Sequence, residues 1–103
     1  MVTRVWRGYA PLSNPSAYAA HFRDSVLPAL RDIAGFRGAS LLRRDGPDEV
    51  EFMVLSRWDS MDAVRAFAGE DPERAVVEPE AVAALTRFDA RVRHYTVVED
   101  GAA

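Results

Sequence analysis

The order of patterned segments predicts an α+β domain of ferredoxin-like β-α-β-β-α-β type, an antiparallel sheet with both long helices on one face. Three observations carry this. Two strand-like runs flank the turn Asp45-Gly46-Pro47-Asp48 and read as a hairpin. One helix-periodic stretch precedes that hairpin and another follows it. β-branched and aromatic runs open and close the chain.

Residues 2–9 form the first predicted strand, with Gly8 as a bulge or a point of close approach. Asn14 is placed to cap a helix whose first position is Pro15. That helix is expected to run to about Ala34 and stop at Gly35. Tyr18, Phe22, Val26, Ala29 and Ile33 give it one apolar face, and Pro28 must bend or interrupt it. Residues 36–44 and 49–58 are the hairpin strands, the latter drier on Val50, Phe52 and Val54. Asp59 or Ser60 caps a second helix that buries Met61, Val64 and Phe67 and closes at Gly69. Glu78-Pro79 opens a short helix to Leu85. Residues 87–98 then read as one long strand, apolar on Phe88, Ala90 and Val92, with a frayed tail beyond.

The chain has 103 residues, 49% hydrophobic and 28% charged with a net charge of −3, which suits one soluble domain spanning residues 1–103. No apolar run reaches the roughly 18 residues of a membrane span, and none near the start resembles a signal peptide, so a cytoplasmic protein that keeps clear of membranes is expected. The absence of cysteine excludes disulfides, thiolate nucleophiles and Cys-bound zinc. All basic residues are arginine, which excludes a Schiff-base or P-loop lysine. These arginines are scattered among acids, so no nucleic-acid footprint is expected. Two histidines without acids at ligand spacing predict no metal site. The odd strand positions include Val5, Tyr9, Ala39, Leu41, Met53, Leu55, Tyr95 and Val97. A sheet face so apolar predicts a homodimer formed face to face.

The aromatic first strand, Gly35-Phe36-Arg37-Gly38-Ala39, and the run from Trp58-Asp59-Ser60-Met61 to Phe67-Ala68-Gly69 together resemble the antibiotic biosynthesis monooxygenase family. The resemblance covers roughly residues 3–98 and implies a dimeric α+β barrel. It also implies oxidation of a phenol, quinol or anthrone-type aromatic substrate by molecular oxygen, in secondary metabolism, without metal, flavin or other cofactor. Such chemistry needs a base or hydrogen bonds to form the substrate anion and a dry pocket to hold it flat. The pocket is expected between the helices and the even-numbered sheet face.

His94 falls on that face, either as the catalytic base or as a satisfied core residue. Trp58 aligns with the family's tryptophan, and it either packs on the substrate or fills the core. Trp6, Tyr18, Phe22 and Phe52 are the remaining substrate-binding candidates, each open to the same core alternative. His21 is expected on an exposed helix flank. Haem-degrading relatives carry an asparagine on the first strand and a histidine on the helix after the tryptophan. Here Asn14 is the only asparagine, and residues 59–85 hold no histidine. A non-catalytic dimeric module for a hydrophobic small molecule is the alternative function, and a haem-binding or haem-degrading enzyme the third.

Overall fold

The computed structural model describes all 103 residues. Its sheet is antiparallel, with β1 (Val2–Pro11) between β3 (Glu49–Trp58) and the last strands, and β2 (Phe36–Asp45) outside β3. β4 (Arg87–Phe88) and β5 (Arg93–Thr96) both pair with β1 along one edge. The order β2-β3-β1-β4 is that of the predicted ferredoxin-like arrangement. No helix is long and apolar enough to cross a membrane.

Alternation along β1 and β3 decides which face is covered. Val2, Arg4, Gly8 and Ala10 on β1, and Val50, Phe52, Ser56 and Trp58 on β3, are buried beneath the helices. Two apolar clusters result. One joins Ala10, Tyr18, Phe22, Val50, Phe52 and Ala81; the other joins Val2, Leu30, Trp58 and Val64. On β2 the inward residues are Ala39 and Leu41, which pack against these clusters and are not part of the open face. The cause is a register shift between Phe36 and Gly38, because one extra residue reverses the parity of everything after it. Gly8 makes no bulge. It is a close-approach point, since a Cβ there would stand 2.7 Å from the Trp6 ring and 3.0 Å from Leu85.

The first helix is shorter and less regular than its periodicity suggests. It comprises α1 (Ser16–His21), a π-helical turn (Phe22–Val26) and α2 (Leu27–Arg31). Pro15, not Asn14, occupies the cap position, with no side-chain cap bond. In the π turn the Leu27 N–H donates to the Phe22 carbonyl, five residues back. Pro28 has no N–H to offer and its ring crowds the carbonyl of Asp24, so the ladder widens just ahead of it. α3 (Met61–Ala68) begins as expected, with the Ser60 side chain accepting the Ala63 N–H at 3.2 Å. α4 (Pro79–Ala84) follows Glu78 and packs on α1.

The closing strand is broken where one long strand was expected. After Asp89, whose N–H still donates to the Arg7 carbonyl, the chain leaves β1 and residues 90–92 bond to residues 73–75 instead. The Ala75 N–H donates to the Ala90 carbonyl at 2.9 Å, and the Val92 N–H to the Glu73 carbonyl at 2.7 Å. This exchange draws the strap of residues 70–78 over the sheet, where it closes the cavity described next.

Candidate functional site

A cavity of about 90 Å³ lies between the sheet and the helices, where the two apolar clusters meet. Its walls are mostly hydrophobic: Trp6 and Val54 from the sheet, Tyr18, Val26 and Leu30 from the first helix, Phe67 from α3 and Val76 from the strap. Ala29 and Val76 line it and are also exposed, which places its mouth between the first helix and the strap. The polar groups on the wall are Arg4, His21, Ser56, Glu78 and the Tyr18 hydroxyl.

Arg4 is the unexpected member. It occupies an inward position of β1 and is only 5% exposed. Its Nη1 donates to the Pro72 carbonyl and, at 2.9 Å, to His94 Nε2; its Nη2 donates to the Arg74 carbonyl at 3.0 Å. The guanidinium carbon stands 5.5 Å from the centre of the Phe67 ring. Burial lowers its pKa to about 10, so it stays cationic at neutral pH. The sequence signal was available, an arginine at an even position between Val2 and Trp6, but even parity alone does not say that water is excluded there.

Trp6 and Tyr18, open in the sequence to a pocket or a core role, line the cavity. The Trp6 Nε1 donates to the Asp89 carbonyl at 2.9 Å, a bond made possible by the break in the last strand. The Trp6 and Tyr18 rings lie 5.8 Å apart, and Tyr18 lies 5.3 Å from Phe52. Burial, aided by Glu78, raises the Tyr18 pKa and keeps its phenol neutral.

Four other candidates stand off the cavity wall. Phe22 and Phe52 belong to the first apolar cluster. Trp58 is fully buried in the second, stacked on Phe67 with centroids 5.4 Å apart, and its Nε1 donates to the Ser56 hydroxyl at 2.9 Å. His94 pairs with Arg4 across β1 and β5 but stands behind the guanidinium and does not line the cavity. Its Nε2 lone pair, the one a base would use, already accepts a bond from Arg4. Burial and then the Arg4 charge lower its pKa, so His94 is a neutral acceptor that orients Arg4.

His21 corrects the sequence expectation in the other direction. Its side chain is only 5% exposed and lines the cavity. The apolar face that begins at Tyr18 carries it inward one turn later, a spacing visible in the sequence.

No three His, Asp or Glu side chains cluster as a metal site requires. Haem does not fit the residues present. The cavity falls well short of the ~300 Å³ at the lower end of ligand pockets.

The fold is shared with known structures. A Bacillus cereus protein, described provisionally as an antibiotic biosynthesis monooxygenase, superposes with a TM-score of 0.70 at 17% identity, over 100% of this chain and 96% of that one. SnoaB, a cofactor-independent oxygenase from Streptomyces nogalater, gives 0.64 at 19% identity, over 96% and 94%. The haem degrader MhuD from Mycobacterium tuberculosis, with two haems bound, gives 0.63 at 20% identity, over 99% and 100%. Among curated proteins, none matches the sequence significantly. The sequence model of antibiotic biosynthesis monooxygenases matches residues 14–79, more than half of the chain, and the chain therefore belongs to the antibiotic biosynthesis monooxygenase family.

Proposed function

We propose that this chain is a cofactor-independent oxygenase of an electron-rich aromatic substrate, of phenol, quinol or anthrone type, acting as a homodimer. The observation that carries this reading is the buried Arg4 guanidinium on the wall of an apolar, aromatic-lined cavity. An aromatic anion suits such a site, because its ring prefers the dry walls and its charge prefers the cation. Molecular oxygen accepts an electron from such an anion far more readily than from the neutral ring.

Arg4 supports that chemistry without reorganising. His94 and the carbonyls of Pro72 and Arg74 hold it before any ligand arrives, and fixed charge in a water-poor site stabilises developing negative charge strongly. Trp6 and Tyr18 offer aromatic surface against which a ring can lie flat. For an anthrone-type CH₂ group the balance is direct. The substrate carbanion adds O₂ to give a peroxide, which takes a proton and loses water, leaving a C=O group. The mouth beside Ala29 and Val76 lets the larger part of a polycyclic substrate lie outside the cavity.

Oxygen uptake by chelator-treated protein, offered quinols and anthrones in turn, tests the reading. Uptake matched to quinone formation is the expected result. Binding of these compounds without uptake would instead mean a non-catalytic module.

A further inference from the structure

Resting on that oxygenase reading, we propose that His21 is the general base of the site, with Glu80 and Glu78 as the carboxylates that face its two ring nitrogens. Neither nitrogen of this buried ring has a hydrogen-bond partner. Buried polar groups are nearly always satisfied, so a ring with both nitrogens open on a cavity wall points to a partner that arrives with the ligand.

Carboxylates stand near both ring nitrogens. Nδ1 stands 3.2 Å from Glu80 Oε2, at ion-pair distance but outside hydrogen-bond geometry; Nε2 stands 4.0 Å from Glu78 Oε2. Asp24, one turn further along the first helix, shares an outer groove with His21 and Glu80. The neutral Tyr18 phenol lies on the cavity side, with ring centroids 6.2 Å apart. The cation on the wall, Arg4, belongs to the sheet, whereas His21 descends from the helix layer. A substrate between them therefore meets a proton acceptor on the helix side and an anion stabiliser on the sheet side.

The step is a proton transfer only. The substrate O–H or activated C–H bond breaks, its electron pair stays on the substrate, and the proton moves to His21 Nε2. A proton carried on Nδ1, the nitrogen that faces Glu80, leaves Nε2 free to accept. Nothing is oxidised until O₂ reacts with the resulting anion.

A purely structural role, in which His21 only pins α4 to α1, predicts different behaviour. In the base reading His21→Gln lowers kcat by roughly 10²–10⁴-fold while leaving substrate Kd and the melting temperature near wild type. The same reading has added imidazole restoring part of the rate in His21→Ala. A second measurement needs no turnover. Wild type should bind 4-nitrophenol and ionise it, read by the phenolate absorbance. His21→Gln should bind it with several-fold less ionisation, because the proton acceptor is gone and Arg4 alone is left to favour the phenolate. Glu80→Gln, altered at a side chain 76% exposed, keeps the fold and should reduce that ionisation several-fold. If His21→Gln keeps both kcat and the ionisation, His21 is not the base, and the oxygenase reading survives. If wild type takes up no oxygen yet ionises nitrophenol through His21, the oxygenase reading fails and the base assignment stands.

Discussion

At the scale of the residue, the site depends on a cation whose environment is built before any ligand binds. Arg4→Met keeps the length of the side chain and removes the charge. It should lower kcat/KM for the aromatic substrate by about 10²–10³-fold, the usual cost of deleting an oxyanion donor, as measured by oxygen uptake. In the proposed oxygenase His94 would act only through its hydrogen bond to Arg4, and its variants should separate accordingly. Glutamine offers an oxygen that can accept from Arg4, so His94→Gln should retain most activity, whereas His94→Ala should lower kcat by about tenfold. His94 also links stability to pH. Its folded pKa lies below the unfolded value because burial and Arg4 oppose its charge, so the unfolded chain binds the proton first. The stability it contributes is present above the unfolded pKa of about 6.5 and is lost as pH falls through the folded value. Melting temperatures measured from pH 7.5 down to 5 should show that loss in wild type and less of it in His94→Gln. Trp58 behaves differently, because it is sealed in the core and its N–H serves Ser56. Trp58→Phe should cost about 1–3 kcal/mol in urea denaturation and leave substrate affinity unchanged. A selective loss of affinity would move Trp58 into the site.

At the scale of the element, close contacts matter more than propensity. Gly35 has φ +86°, and a Cβ added there would come within 2.6 Å of the Ala63 Cβ on α3. The loop after α2 can approach α3 only because both residues are small. Gly35→Ala should therefore destabilise by about 1–3 kcal/mol, combining backbone strain with the clash. Adding Ala63→Gly should recover the steric part alone, and full recovery in the denaturation curve would show that the backbone strain is negligible. The π turn has a related logic. Pro28 disturbs the ladder, and the widened turn falls directly after His21, at the point where the helix passes from one apolar cluster to the other.

At the scale of the whole molecule, the outer face of the sheet carries the proposed dimer contact. Val5, Tyr9, Leu42, Met53, Leu55 and Tyr95 share it with Arg7, Glu51, Arg57 and Arg93. Leu42 is 45% exposed and Tyr95 51% exposed, a large apolar presence for a sheet face without cover. Light scattering at micromolar concentration should give a dimer, and Leu55→Glu, paired across β1 from Val5, should convert it to monomer. A Leu55→Glu protein that remains fully dimeric would place the interface elsewhere.

The sequence by itself determined the order of elements, a cap at Asp59 or Ser60, and the covered faces of β1 and β3. Each depends on residues close together in the chain, through a period of two or 3.6 or a capping side chain. It also held the family resemblance and the aromatic wall of Trp6 and Tyr18. Tertiary structure alone decided the rest. Parity on β2 turns on one register shift, which no alternation pattern announces. The last strand breaks because residues 90–92 find better partners in the strap than in β1. That break brings the Pro72 and Arg74 carbonyls to Arg4, which lies about seventy positions earlier in the chain. The roles of the two histidines follow from the same long-range contacts: His94 becomes a neutral acceptor because Arg4 reaches it first, and His21 is buried because α4 closes over it. Local periodicity can say which way a side chain points, but whether water, a carbonyl or a charge waits there depends on segments distant in sequence.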